Sequence, residues 1–300
     1  MAQPKFTRQM TTSEFEALFP TDDACKAYLV RRRWPDGVIR CPRCTSERTY
    51  ALANRPFHWE CPDCRKGGAY RFSVLVETIF EDTKIGLRQW FKVIYLMLTS
   101  KKGISALQIH RMMGFGSYQT AHSMCHRIRA ALIDPEFRKL MGIVEVDETY
   151  IGGSNRNRHA NKKTPGTGPA GKEIVTGAVE RQGNIVTRVL REANMRTMGH
   201  FVRTVVSDKV SLVATDEHSG YLGLSPEFPH ESVKHGRGEY VRGLVHTQTI
   251  DSFWSLLKRG IMGSFHHVSA KYLPLYVAEF EWRYNNRNNP DIFGEAVGRC

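Results

Sequence analysis

The sharpest alternation of apolar and polar positions runs from Ile143 to Ile151 (IVEVDETYI) and predicts a strand. Two more strands are expected at Ile174 to Glu180 and Ile185 to Arg191, joined through Gly183-Asn184 as a hairpin. Residues 195–206 switch to helical spacing, with Met198, Phe201, Val202 and Val205 apolar. Ser211 to Thr215 reads as a fourth strand, which runs straight into Asp216. Thr249 is placed to cap a helix from Ile250 to Arg259, and a last helix is expected over about 271–286. The order is therefore strand, strand, strand, helix, strand, helix.

The first half of the chain is patterned for helices. Thr12 to Pro20 reads as a short capped helix and Asp22 to Arg33 as a second. Within 84–99, Leu87, Trp90, Phe91, Ile94 and Leu98 share one helical face. Ser105 can cap a helix to Met113, Gly114-Phe115-Gly116 breaks it, and Ser117 can cap another from Tyr118 to Leu132. Ala121, Met124, Cys125, Ile128, Ala131 and Leu132 form the apolar face of that helix; Gln119, Thr120, His122, Ser123, His126 and Arg127 form the opposite one. A helix, a tight glycine turn and a polar-faced second helix make the helix-turn-helix pattern. A helical hairpin that binds nothing has the same pattern. On the DNA reading, Gln119, Thr120, Ser123 and Arg127 lie against the duplex.

Composition narrows the class. With 41% apolar and 24% charged residues over 300 positions, the chain is that of a folded protein with room for two or three domains. The net charge is +13, of which residues 1–142 carry +10 and residues 143–300 only +3. Such a field favours a polyanionic partner, most commonly nucleic acid. Arg31-Arg32-Arg33 beside Trp34 either grips phosphate or ends a solvated helix. No apolar run approaches the ~18–20 residues that cross a bilayer. The segment MAQPKFTRQM lacks the apolar core of a secretory signal. No membrane partner is expected, and the expected location is cytoplasmic, with the nucleoid.

Four of seven cysteines form two CxxC pairs, Cys41-Cys44 and Cys61-Cys64, separated by sixteen residues. Two such knuckles supply four thiolates to one tetrahedral ion, the structural zinc pattern. Thr49 to Leu52 and Pro56 to Trp59 between them read as a hairpin, which completes a zinc ribbon. One structural Zn2+ is therefore expected on Cys41, Cys44, Cys61 and Cys64. These cues divide the chain into N-terminal helices plus ribbon (1–80), a helix-turn-helix DNA-binding region (81–142) and an α/β region (143–300). Within the last, residues 152–172 are rich in Gly, Asn and Lys with no acid. In that loop Arg156, Arg158, Lys162 and Lys163 are candidates for phosphate contact.

Asp147 lies in the first strand of the α/β region, Asp216 at the end of the fourth and Asp251 at the start of the next helix. Carboxylates on those three elements can converge on a pair of Mg2+ ions, which favour hard oxygen ligands and catalyse in-line phosphoryl displacement. Glu145 shares the strand face of Asp147 and is either an auxiliary ligand or a sheet-edge charge. Lys258, two helical turns beyond Asp251, falls on the same face.

Several segments together carry a family resemblance: CPRC, CPDC, the run from Gln119 to Arg129, VEVDETYIGG, ATDEHSGY, HTQTIDSFWSLLKRGIMGSFHHVS and EFEWRYNNR. The chain resembles bacterial insertion-sequence transposases of the DDE class that carry an N-terminal zinc ribbon. The resemblance implies an α+β multidomain protein: zinc ribbon, helix-turn-helix region and C-terminal RNase H-like α/β catalytic domain. It implies Mg2+-dependent strand cleavage and strand transfer at the terminal inverted repeats of an element and at target DNA, by a homo-oligomer on double-stranded DNA. Carried onto this chain, its metal ligands are Asp147, Asp216 and Asp251, with Lys258 as the lysine seven residues after the third acid. The third position, more often Glu in the wider class, is Asp here, one methylene shorter. A DNA-binding regulator with an inactive RNase H-like domain, or a structure-specific nuclease, would use the same parts.

Overall fold

The computed structural model describes residues 10–64, 69–134, 137–153, 159, 161, 171–234, 236, 238–239 and 241–300. They separate into two units. The first holds the described residues up to Leu132 together with Arg287–Cys300; the second is Ile133–Asn286. Sequence texture places breaks at 80/81 and 142/143, and the grouping of the last residues with the N-terminal unit has no local signal.

In the first unit, α1 (Thr12–Leu18) opens on a capping box in which Thr11 and Glu14 satisfy each other's backbone N–H. Helix α2 (Asp22–Arg33) has Asp22 and Asp23 in its first turn and Arg31, Arg32 and Arg33 in its last, both matched to the helix dipole. Strands β1 (Tyr50–Ala51), β2 (His58–Cys61) and β3 (Tyr70–Ser73) form an antiparallel sheet in that order. The hairpin is the expected one; β3, four residues without clear alternation, is an addition. Helices α3 (Leu87–Thr99), α4 (Ala106–Met113) and α5 (Tyr118–Ala131) follow. A C-terminal helix, Ile292–Arg299, brings Phe293 into an aromatic core, 5.3 Å from Phe19 and 5.7 Å from Phe91 between ring centroids. Arg32 donates to Asp291 and to the Gly294 carbonyl, and Arg33 donates to the carbonyls of Val74 and Val76. Two arginines of that run thus hold the unit together and are not free to grip phosphate.

The second unit is built on β4 (Ile143–Ile151), β5 (Glu173–Glu180), β6 (Ile185–Leu190), β7 (Leu212–Thr215) and β8 (His230–Ser232). The sheet order is β6-β5-β4-β7-β8. The first three strands form an antiparallel meander; β7 pairs parallel with β4, and β8 parallel with β7. With helices on both faces this is an RNase H-like α/β unit. Period-two alternation assigns the faces. Val144 and Val146, with Ala178, Val186 and Val213, bury against Met198, Phe201, Val202 and Val205 of α6 (Met195–Val205). On the other face, Val175, Val179 and Ile185 pack against α7 (Gln248–Gly260) and α8 (Leu273–Asn285). Each such side chain contributes about 1.5–3 kcal/mol relative to exposure. Helix α8 also covers the outer strand: Glu281 accepts from Thr187 N–H, and the Asn285 amide exchanges two hydrogen bonds with the Ile185 backbone.

Candidate active site and metal centre

The ribbon cluster is local. Cys41 and Cys44 sit on a turn closed by Thr45 N–H to Cys41 O at 2.8 Å, with Thr45 at φ 57°. Cys61 ends β2, and Cys64 lies on the turn after it. Sγ separations are 3.6 Å for Cys41–Cys64 and 3.6 Å for Cys44–Cys61. Four thiolates at about 2.3 Å from a tetrahedral Zn2+ lie roughly 3.8 Å apart, so the four fit that ion. Trp59 packs between Trp34 and Phe72.

The acid cluster is assembled from distant segments. In the β4–β7 ladder, Ile143 faces Leu212, Val144 faces Val213 and Glu145 faces Ala214. That offset is 69 at every rung, and Asp147 and Asp216 differ by the same 69. Asp216 therefore follows the last rung in step with Asp147, just past the end of β7, where the edge of β4 is open. Glu148 joins them: one carboxylate oxygen from each of Asp147, Glu148 and Asp216 lies within 4.8 Å of the others. Asp147 points toward α7 and Glu148 toward the opposite face, and the two meet at the open edge. Each is tethered by a buried donor. Trp254 Nε1–H donates to Asp147 Oδ2 at 2.9 Å, and Tyr221 O–H donates to Glu148 Oε2 at 2.8 Å. Asp216 Oδ1 accepts from the His218 N–H.

Burial pushes the Asp147 carboxyl up to about 8, with the charges of Glu148, Asp216 and Asp251 adding to it. Burial likewise raises Glu148, against the lowering effect of the Tyr221 hydrogen bond. So many acids in one place are costly without a cation, and the oxygen donor set suits a hard divalent ion.

Asp251 and Lys258 line an open cleft of about 390 Å³ with Asp147, Glu148, Thr149, Trp254, Ser255 and Arg259. Asp251 stands outside the tight group of three carboxylates and accepts from Thr247 Oγ1 at 3.2 Å. Its helix starts earlier than sequence suggests, at Gln248 after Thr247. Thr249 is not the cap. Its N–H and hydroxyl both donate to Glu145, 2.8 and 2.9 Å away, and Ile250 N–H donates to the same carboxylate at 3.1 Å. Arg181 Nε adds a 2.7 Å bond, and His246 Nδ1 lies 3.3 Å off. Glu145 is fully buried and caps α7 from the sheet face that the helix packs on. With its oxygens engaged this way it is neither ligand nor edge charge. Glu239 closes its own loop by accepting from Lys234 N–H.

On the helix-turn-helix, Gly114 at φ 64° ends α4 and Ser117 caps α5. Gln119 and Ser123 are exposed and Thr120 half-buried. Arg127 turns toward α3: its guanidinium lies 5.3 Å from the Trp90 ring centroid. Arg156, Arg158, Lys162 and Lys163 lie outside the described residues.

The family model of an ISXO2-like transposase domain matches residues 139–285, and that of a transposase zinc-ribbon domain matches residues 20–67. The chain belongs to the insertion-sequence transposases with an N-terminal zinc ribbon. This transposase is 28% identical over 269 residues to an uncharacterized protein in transposable element ISH50 of Halobacterium salinarum, covering 85% of this chain and 88% of that one. It also aligns to a chain in the structure of the simian T-cell lymphotropic virus intasome with PP2A regulatory subunit B56 gamma. That alignment has a TM-score of 0.29 and 13% identity over 58% of this chain and 67% of that chain, too low to bear on the fold. The transposase is thus a DNA-processing enzyme with a zinc-ribbon module. Among the described residues, no helix is long and apolar enough to cross a membrane.

Proposed function

We propose that this transposase binds the terminal inverted repeats of its insertion sequence through the ribbon and helix-turn-helix region, and cleaves and joins DNA strands at the carboxylate cleft. The observation that carries the reading is the clustering of Asp147, Glu148 and Asp216, with Asp147 and Asp216 separated by the same 69 residues as the rungs of the ladder that ends just before them. Asp147, Asp216 and Asp251 would hold two Mg2+ ions. When bound, these supply activation of a water or 3′-hydroxyl and stabilise the leaving oxygen of an in-line displacement. Asp251, one methylene shorter than Glu, reaches the ions directly or through water. Lys258, on the exposed face of α7 with Asp251, binds the phosphate and holds it over the carboxylates. Thr247 keeps Asp251 oriented by donating to one of its oxygens.

The polar face of α5, with Gln119, Thr120 and Ser123 outermost and Arg127 at its inner edge, lies against DNA. Arg156, Arg158, Lys162 and Lys163 contact phosphate. The active form is a homo-oligomer on double-stranded DNA, working at the nucleoid in the cytoplasm.

The test uses purified protein, Mg2+ or Mn2+, labelled element ends and strand-resolved products. Nicking at the end followed by joining to a second duplex supports the proposal. End-specific binding without nicking supports the regulator instead, and nicking without joining supports the nuclease.

A further inference from the structure

Trp254 lies on the inner face of α7, 3% exposed, three residues after Asp251. Its indole Nε1–H donates to Asp147 Oδ2 at 2.9 Å. Its ring lies over Gly177 of β5, the rung partner of Asp147. A Cβ at residue 177 would stand 2.8 Å from Trp254 Cη2 and 3.0 Å from Cζ2, closer than real Cβ contacts come. The absence of a side chain at 177 thus lets the indole reach the aspartate. The two contacts make a chain from Gly177 to Trp254 to Asp147, while Glu145 two residues earlier clamps the start of the same helix.

A lone core tryptophan needs an acceptor for its N–H, and a backbone carbonyl would serve. Here the acceptor is the carboxylate of a candidate metal ligand. A donor on one oxygen fixes the carboxylate torsion and leaves the other oxygen free to coordinate. Such outer contacts are commonly worth 10–100-fold in metal affinity. We propose that Trp254 is a positioning residue for the metal site, holding Asp147 Oδ2 so that Oδ1 faces the ion, and that Gly177 is there to admit its ring. The inference rests on the reading of Asp147 as a Mg2+ ligand.

The decisive experiment measures Mn2+ binding to the full chain without DNA, by water-proton relaxation, in wild type, Trp254→Phe and Asp147→Asn. Trp254→Phe keeps most of the apolar ring and loses the donor, and should bind Mn2+ about 10-fold or more weakly. Asp147→Asn should lose the site. Near wild-type binding by Trp254→Phe, alongside loss in Asp147→Asn, overturns the positioning role and leaves the functional reading standing. Equal binding by wild type and Asp147→Asn overturns both.

A second measurement needs no altered tryptophan. The chain has five tryptophans, hence five indole N–H signals in a nitrogen-15 NMR spectrum. The one that moves between wild type and metal-free Asp147→Asn belongs to Trp254. In wild type that signal should shift as Mg2+ is added while the other four stay in place; an unmoved signal at saturating Mg2+ overturns the proposal.

Discussion

The thiol cluster and the carboxylate cluster are built by opposite routes. All four thiols come from two turns and one hairpin between residues 41 and 64, so their approach is set by local chain geometry. The carboxylates come from three segments, 147–148, 216 and 251, and nothing local brings those segments together. A parallel ladder, an open strand edge and a helix clamped through Glu145 do that work. The thiol site should therefore fail as a unit with its metal, whereas the carboxylate site should be breakable from residues that touch no ion.

The largest effect is expected at the ligands. Asp147→Asn or Asp216→Asn should lower strand cleavage by about a thousandfold or more, as loss of a charge-stabilising group in a reaction centre does. Binding to element ends should stay within about twofold in a mobility-shift assay, since the change leaves shape nearly intact. Asp251→Glu should keep activity and Asp251→Asn should lose most of it. Near wild-type cleavage by Asp251→Ala would remove that residue from the ligand set.

Cys41→Ser should unfold the ribbon, because structural zinc supplies on the order of 10 kcal/mol to a module too small to bury its own core. Elemental analysis should find one zinc per wild-type chain and none in the variant, with end binding weakened. Thermal unfolding of the α/β unit should be unchanged. Zinc-free protein with an intact ribbon would contradict the assignment.

Glu145→Ala removes the shared acceptor of Arg181, Thr249 and Ile250. Breaking such a buried pair costs about 3–5 kcal/mol. The α/β unit should melt earlier and the Thr249 and Ile250 amides should exchange faster, with zinc content unaffected. Loss of zinc in this variant would mean that the two sites are not independent.

The most gradual effect is a pH slope, small over any one pH unit. Asp147 rises from an ordinary value near 3.8 to about 8 in the folded chain. Between those values the folded state keeps a proton that the unfolded state has released. Stability of the protein without Mg2+ should therefore fall as pH rises from about 4 to about 8, by up to about 1.4 kcal/mol per pH unit. Denaturant melts at several pH values should show this slope, and Mg2+ or Asp147→Asn should flatten it. The same slope in wild type and Asp147→Asn would show that Asp147 does not hold the proton.

Elements with strong local signals were legible. Helix α2 spans Asp22–Arg33 as its caps and charges predict, and Ser105, Gly114 and Ser117 bound the two helices of the hairpin as read. The misplaced start of α7 is instructive. Thr249 has the chemistry of a cap, but a buried glutamate about a hundred residues earlier holds its hydroxyl and N–H. Arg127 has the spacing of a polar-face residue, but Trp90 offers its ring and draws the guanidinium inward. Strict alternation sends Glu148 to the face opposite Asp147, so the strand pattern does not place it at the site. Only where β7 stops does the open edge let both side chains reach Asp216.

What the sequence by itself determined is whatever depends on neighbours along the chain: the caps, the two CxxC knuckles, the alternation of β4 and the basic bias of the first half. Those terms act over a few residues, and each is written in residue type and spacing. The parallel register, the buried carboxylate that caps α7, the approach of Trp254 to Gly177 and the return of the last helix to the first unit were decided by tertiary structure. Each is a contact between segments distant along the chain. Its energy comes from burial and from satisfying polar groups inside the fold, and no local pattern encodes it.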